Sequence, residues 1–124
     1  MIRAAIYSLF LFLFVSCKDG ALFHQISSKE SGITFNNKIV ETDSVNILDF
    51  SNVYNGGGVG IGDFNKDGLP DIYFVGNQVS NKLYLNKGQF KFDDVTKEAQ
   101  VSGAGRWGRG VTVVDINNDG WDDI

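Results

Sequence analysis

From residue 56 onward the apolar positions repeat every second residue, not every third or fourth. The clearest case is Gly56–Gly62, G-G-G-V-G-I-G, where Gly58, Gly60 and Gly62 fall on one face and Val59 and Ile61 on the other. Period two predicts a strand, and a face without side chains predicts that something packs close against its backbone. Ile72-Tyr73-Phe74-Val75 is a second, strongly β-prone run ended by Gly76-Asn77. Lys82-Leu83-Tyr84-Leu85 is a third, closed by the turn signal Asn86-Lys87-Gly88, and Phe90-Lys91-Phe92 a fourth, with Phe90 and Phe92 on one face. Short strands joined by tight turns predict an antiparallel meander. Upstream, residues 26–50 show no helical period, and Asn46, Asp49, Ser51, Asn52 and Asn55 mark turns.

The pattern then restarts. Asp63–Asp71 reads D-F-N-K-D-G-L-P-D and Asp115–Asp123 reads D-I-N-N-D-G-W-D-D, 52 residues further on. The same alignment places Val111 on Val59, Thr112 on Gly60, Val113 on Ile61 and Val114 on Gly62. A repeat of this length containing about four strands predicts propeller blades. The expected fold is all-β, with β-propeller blades of four antiparallel strands: about one complete blade plus parts of its neighbours. A weaker echo relates Phe23-x-x-Ile26-Ser27 and the following Lys29–Ile33 to Phe92-x-x-Val95-Thr96 and Lys97–Val101, with one insertion. The N-terminal segment therefore reads as the tail of a preceding blade. Ile124 aligns with Ile72, the first residue of a strand, so a fragment truncated at the C-terminus is expected.

The acidic stretch between the first two strands carries the chemistry. Asp63, Asn65, Asp67 and Asp71 occupy positions 1, 3, 5 and 9 of the loop, and Asp115, Asn117, Asp119 and Asp123 occupy them in the second copy. Alternate residues of a tight loop point inward, so these oxygens are expected to converge on one hard cation, with Leu69 and Trp121 at position 7 adding backbone carbonyls. Gly68 and Gly120 at position 6 allow the sharp turn through positive φ. Calcium is the expected ion, because magnesium suits an all-protein oxygen cage less well and zinc lacks its Cys and His ligands. The loop is not an EF-hand: position 12 is Phe74 in a β-prone run, where an EF-hand has a bidentate Glu and flanking helices. The competing reading is a solvated Asp/Asn/Gly hairpin with no metal. Lys66, at an even position, is expected to face solvent.

Composition narrows this. The chain has 124 residues, one Pro and fifteen Gly, which suits a single β-rich unit with many tight turns. The net charge of -4 is concentrated, since Asp63, Asp67, Asp71, Asp115, Asp119, Asp122 and Asp123 all lie in the two loops. No Lys/Arg cluster follows a phosphate backbone, so nucleic acid is not an expected partner. Gly56–Gly62 lacks the G-K-[S/T] ending of a phosphate loop. His24, the one His, reads as a surface or packing residue, and Arg106 and Trp107 as a solvent Arg beside a packed Trp.

The N-terminus has its own pattern. Arg3 precedes an apolar run, Ala4–Val15, shorter than the roughly 20 residues of a spanning helix. Phe14-Val15-Ser16-Cys17 followed by Lys18-Asp19-Gly20 resembles a bacterial lipoprotein signal. That resemblance implies cleavage before Cys17 and lipidation of its thiol. The alternatives are an ordinary signal peptide with a chance Cys, or a buried strand. Residues 1–16 are thus assigned to a signal peptide, 17–30 to a tether and lead-in, and 31–124 to the repeats.

The run from Asn55 to Gly62 into D-F-N-K-D-G-L-P-D-I-Y-F, then N-K-L-Y-L-N-K-G, F-K-F-D-D-V-T and G-V-T-V-V-D-I-N-N-D-G-W-D-D-I, resembles the FG-GAP/VCBS repeat proteins. These include integrin alpha-type propellers and cartilage acidic protein-like extracellular proteins, and the likeness extends to surface lipoproteins of this type in Bacteroidetes-like bacteria. The resemblance covers roughly Ser31–Ile124. It implies a calcium-stabilised propeller, usually seven-bladed, acting in adhesion, ligand binding or scaffolding. Asn65 and Asn117 stand where integrin loops often carry Asp, which lowers ligand charge without removing an oxygen. The expected function is that of a calcium-binding, surface-anchored repeat protein that binds a glycan or protein ligand. It is not expected to be an enzyme, and its membrane contact would be a lipid anchor on Cys17. The alternatives are a propeller-based polysaccharide lyase or hydrolase and a purely structural envelope protein.

Overall fold

The computed structural model describes residues 21–124; residues 1–16, expected to be a signal peptide, and Cys17 lie outside the described residues. One short helix, α1 (Ser28–Ser31), precedes four strands: β1 (Val59–Gly62), β2 (Asp71–Phe74), β3 (Lys82–Asn86) and β4 (Phe92–Asp94). They form one four-stranded sheet in the order β1-β2-β3-β4, each strand antiparallel to the next. This is the expected all-β blade. One boundary differs: the fourth strand is Phe92–Asp94, because Gly88, Gln89 and Phe90 all take left-handed φ in the turn before it. Phe90 therefore belongs to the turn, not the strand.

Pairing of Gly60 with Tyr73 and of Tyr73 with Leu83 puts all three on one face of the sheet. Tyr73, Val75 and Leu83 are the buried core there, with Phe64, Val95, Val101 and Val111 packed around them. The bare glycine face of β1 is where the second copy docks. A Cβ on Gly60 would stand 2.8 Å from Val113 Cγ2, and one on Gly62 would stand 2.9 Å from Val113 Cγ1. At Gly58 it would stand 2.8 Å from the Val111 nitrogen. The expected close approach is thus made by Gly110–Val113, the start of the next repeat. Val59 and Ile61, which the repeat matches to Val111 and Val113, are 58% and 64% exposed on the opposite face.

That opposite face is partly covered by the N-terminal segment. Phe35 stacks on Phe74 with ring centroids 4.9 Å apart, and Phe74 meets the fully buried Tyr84 edge-on. The Thr34 N–H donates to the Tyr84 hydroxyl at 3.2 Å. The weak echo between the two tails is geometric as well. Ser27 caps α1, Gly32 closes it at φ 80, and Gln100, aligned with Gly32, takes φ 58 at the end of the turn that follows Thr96.

Two side chains tie the segments together. Asn77 is buried; its Nδ2 donates to Gly56 O at 2.9 Å and Gly108 O at 2.7 Å, which are equivalent positions of the two repeats. Its Oδ1 accepts from Asn37 Nδ2 and its N–H donates to Asn37 Oδ1. Thr96 Oγ1 accepts from Leu83 N–H and donates to Asp94, which also takes Lys82 Nζ at 2.7 Å. Partial burial pushes the Asp94 carboxyl up, but the Lys82 and Thr96 hydrogen bonds outweigh it and hold the group below its ordinary value.

Replacing Gly60 by Val places side-chain atoms where Val113 already sits, so Gly60→Val is expected to cost about 1–3 kcal/mol, as overpacking does. Gly110→Ala is its control, because a Cβ there meets nothing within 4 Å. Urea denaturation should separate the two; equal midpoints would show that the glycine face carries no packing role.

Candidate metal loops between the first two strands

The first acidic loop connects β1 to β2, the second is closed by the single Val114–Asp123 bridge, and the two close in the same way internally. In the first loop the Asp67 N–H donates to Asp63 Oδ1 and Asn65 Oδ1, each at 3.0 Å. The Gly68 N–H donates to Asp63 Oδ2 at 2.8 Å, and the Leu69 N–H to Asp67 Oδ1 at 2.9 Å. Asn65 Nδ2 donates to Asp67 Oδ2 at 2.9 Å. In the second loop the Asp119 N–H donates to Asp115 Oδ1 and Asn117 Oδ1 at 3.0 and 2.9 Å. The Gly120 N–H donates to Asp115 Oδ2 at 2.7 Å, the Trp121 N–H to Asp119 Oδ1 at 2.8 Å, and Asn117 Nδ2 to Asp119 Oδ2 at 2.9 Å. Gly68 and Gly120 take φ 83 and 84, the left-handed turn expected at position 6. Lys66 and Asn118 at position 4 take φ 58 and 60.

The ninth position closes each loop onto its strand. Asp71 is fully buried; its Oδ2 accepts from Phe64 N–H at 3.0 Å and its Oδ1 from Asn86 N–H at 2.8 Å. Asp123 Oδ2 accepts from Ile116 N–H at 3.1 Å, the matching bond. Val114 and Asp123 exchange both backbone hydrogen bonds, which reproduces the Gly62–Asp71 pairing of the first repeat. The repeat found in the sequence is therefore a repeat of backbone geometry and side-chain bonding.

The donor set is all hard oxygen: the carboxylates of Asp63, Asp67 and Asp71 with the Asn65 amide oxygen, and Asp115, Asp119 and Asp123 with Asn117. That chemistry fits calcium, and an oxygen that accepts one N–H retains a second lone pair. The expected convergence is not drawn tight, however. Among the described residues no group of three or more His, Cys, Asp or Glu is gathered at metal-holding distances. The carboxylates are turned onto backbone N–H groups within each loop. The Asp67 carboxyl is held below its ordinary value first by the Asn65 side chain and then by the Leu69 N–H. Asp119 is lowered first by the Trp121 N–H and then by Asn117, with the Lys66 charge contributing.

Lys66 is exposed, as expected, and it also has a partner. Its Nζ lies 4.0 Å from the centre of the Trp121 ring, across the gap between the two loops. Asp122 makes a second crossing: its Oδ2 accepts the Asp63 N–H at 3.2 Å. The sequence marks Asp122 only as a loop charge, since it occupies position 8, where the first loop has Pro70. The other residues singled out lie elsewhere. His24 is exposed on the lead-in, Arg106 is exposed, and the half-buried Trp107 stacks on Phe50 at 6.2 Å.

The FG-GAP-like repeat model matches residues 63–124, half of the chain, beginning at the first residue of the first loop. The chain belongs to the FG-GAP-like repeat family. Among curated proteins, cartilage acidic protein 1 of Xenopus tropicalis is 35% identical over 74 residues. That alignment covers 59% of this chain and 11% of the relative, so the chain spans about a tenth of that protein's length. No solved structure matches the chain.

Asp71 has a structural role that is independent of any ion, because both its oxygens serve buried backbone N–H groups. Asp71→Asn sets an amide NH2 against one of those donors and should cost about 1–3 kcal/mol even in excess chelator. Denaturant unfolding in chelator checks this; an unchanged midpoint would mean that the two bonds contribute nothing.

Proposed function

We propose that this FG-GAP repeat segment is part of an exported, surface-anchored propeller that binds a glycan or protein ligand, with calcium in its loops serving structure and not catalysis. In this reading Asp63, Asn65, Asp67, Asp71 and the Leu69 carbonyl hold one ion. Asp115, Asn117, Asp119, Asp123 and the Trp121 carbonyl hold another. The observation that carries the reading is the bond-for-bond identity of the two loops. Both loops hold the same hard-oxygen residues in the same closed turn, so what one loop can bind the other can bind as well.

The ion's part follows from charge. Each loop brings three carboxylates close to one backbone turn, and a divalent cation removes their mutual repulsion. Because the loop joins β1 to β2, fixing it fixes the hairpin on which the blade is built. The adhesive role is drawn from the family. The surface location rests on the signal-like residues 1–16 and Cys17. Among the described residues no helix is long and apolar enough to cross a membrane, so a lipid on Cys17 would supply the membrane contact.

Thermal unfolding with and without calcium tests the metal. A ligand at 100 times its Kd adds about 2.7 kcal/mol per site, so the midpoint should rise by several degrees in calcium and fall back in chelator. Identical midpoints would sink the calcium reading. The anchor is tested separately: cells fed a labelled fatty acid should label the wild-type protein and leave Cys17→Ser unlabelled. Equal labelling of both would remove Cys17 as the anchor.

A further inference from the structure

The two loops touch, and in each crossing one partner, Lys66 or Asp122, is not a candidate ligand while the other, Trp121 or Asp63, is. Lys66 lies between Asn65 and Asp67 in the first loop and reaches the ring of Trp121 in the second at 4.0 Å. Asp122 lies between Trp121 and Asp123 in the second loop and accepts the backbone N–H of Asp63, the first position of the first loop, at 3.2 Å. The Asp122 carboxylate also lies against Gly62, where a Cβ would stand 2.8 Å from its Oδ2. Each crossing therefore joins a residue flanked by candidate ligands in one loop to a candidate-ligand residue in the other.

We propose that the two loops load divalent cations as a coupled pair, with the Lys66–Trp121 and Asp122–Asp63 contacts carrying the coupling from one blade to the next. The proposal rests on the calcium reading above. An ion in either preformed loop restrains Trp121 and Asp122, or Lys66 and Asp63, about the positions they already hold, and so removes part of the residual motion that the second loop must still lose. Charge works the other way, since filling one loop removes negative charge near its neighbour. That opposing effect is screened beyond about 8 Å at physiological ionic strength, while the contact-borne ordering is not. Positive coupling is therefore expected at physiological salt, and weaker coupling at low salt.

Terbium is a suitable probe, because Trp121 at position 7 of the second loop should sensitise emission from an ion bound there. Trp121→Phe defines the background from Trp107. In the full chain at physiological salt, Asp67→Ala, which removes a first-loop ligand only, should raise the terbium concentration for half-loading of the second loop by about 5-fold. With Lys66→Met and Asp122→Asn present, the same change should leave that midpoint within about 2-fold. Coupling is reciprocal, so Asp119→Ala should weaken calcium binding at the first loop by the same factor in calorimetry. Asn65→Ala serves in place of Asp67→Ala should that variant fail to fold. A second-loop midpoint indifferent to first-loop variants, with terbium still bound, overturns the coupling alone. Absence of Trp121-sensitised emission from the wild type overturns the cation reading, and the coupling with it.

Discussion

A strand with no side chains on one face sets the geometry on which the rest depends. Gly58, Gly60 and Gly62 leave room for Val111 and Val113 to lie directly on the backbone of β1. Any Cβ there would meet its neighbour at 2.8–2.9 Å, closer than real contacts allow. The close approach brings the start of the second repeat into line with that of the first, and each acidic loop begins one residue after the last of these matched positions, Gly62 and Val114. The loops consequently lie side by side. The contact between Lys66 and Trp121 is a downstream result of three missing methyl groups.

Close packing leaves buried polar groups that must be satisfied internally. Asn77 does so for Gly56 O and Gly108 O, the same carbonyl in consecutive repeats, with one amide nitrogen. Asp71 does so for the N–H groups of Phe64 and Asn86 and links the loop to the far end of β3. An apolar side chain at either place would strand several groups, each at a cost of about 1–3 kcal/mol. These two residues make the blade more than a stack of β-prone runs, because each joins segments that the sheet ladder does not connect.

The strands, their order and the offset of the repeat were legible in the sequence, since period-two alternation and recurring Asp and Gly positions reflect backbone geometry directly. Gly68 and Gly120 were legible for the same reason: a sharp turn at a fixed position demands positive φ. The fourth strand was misplaced because Phe90 looks like any β-prone aromatic, and nothing local shows that Gly88, Gln89 and Phe90 turn left-handed in succession. Lys66 was read as solvent-facing from its even position in the loop. It is exposed, as that position implies, but its aromatic partner lies 55 residues away in a second loop and has no signature within the first. Asp122 counts in the sequence only as one of the loop charges, because it matches no ligand position; only the docking of one repeat on the next gives it a partner. Asn77 read as a strand terminator, and its four bonds to three segments have no one-dimensional signature.

The loops also show how much of their closure belongs to the chain and how much would remain for an ion. Every side-chain oxygen of Asp63, Asp67, Asp115 and Asp119 takes part in a hydrogen bond within its loop, so each turn has a defined shape before any metal is considered. A preformed turn lowers the entropic cost of binding, which favours affinity, yet its N–H groups compete for the same oxygens. The balance is set by charge. A backbone N–H is a partial positive charge shared among neighbours, whereas a divalent ion offsets the full repulsion of three carboxylates at once. The loops are therefore shaped by their amides and left with uncompensated charge, and a hard cation is the partner that cancels that charge without changing the turn.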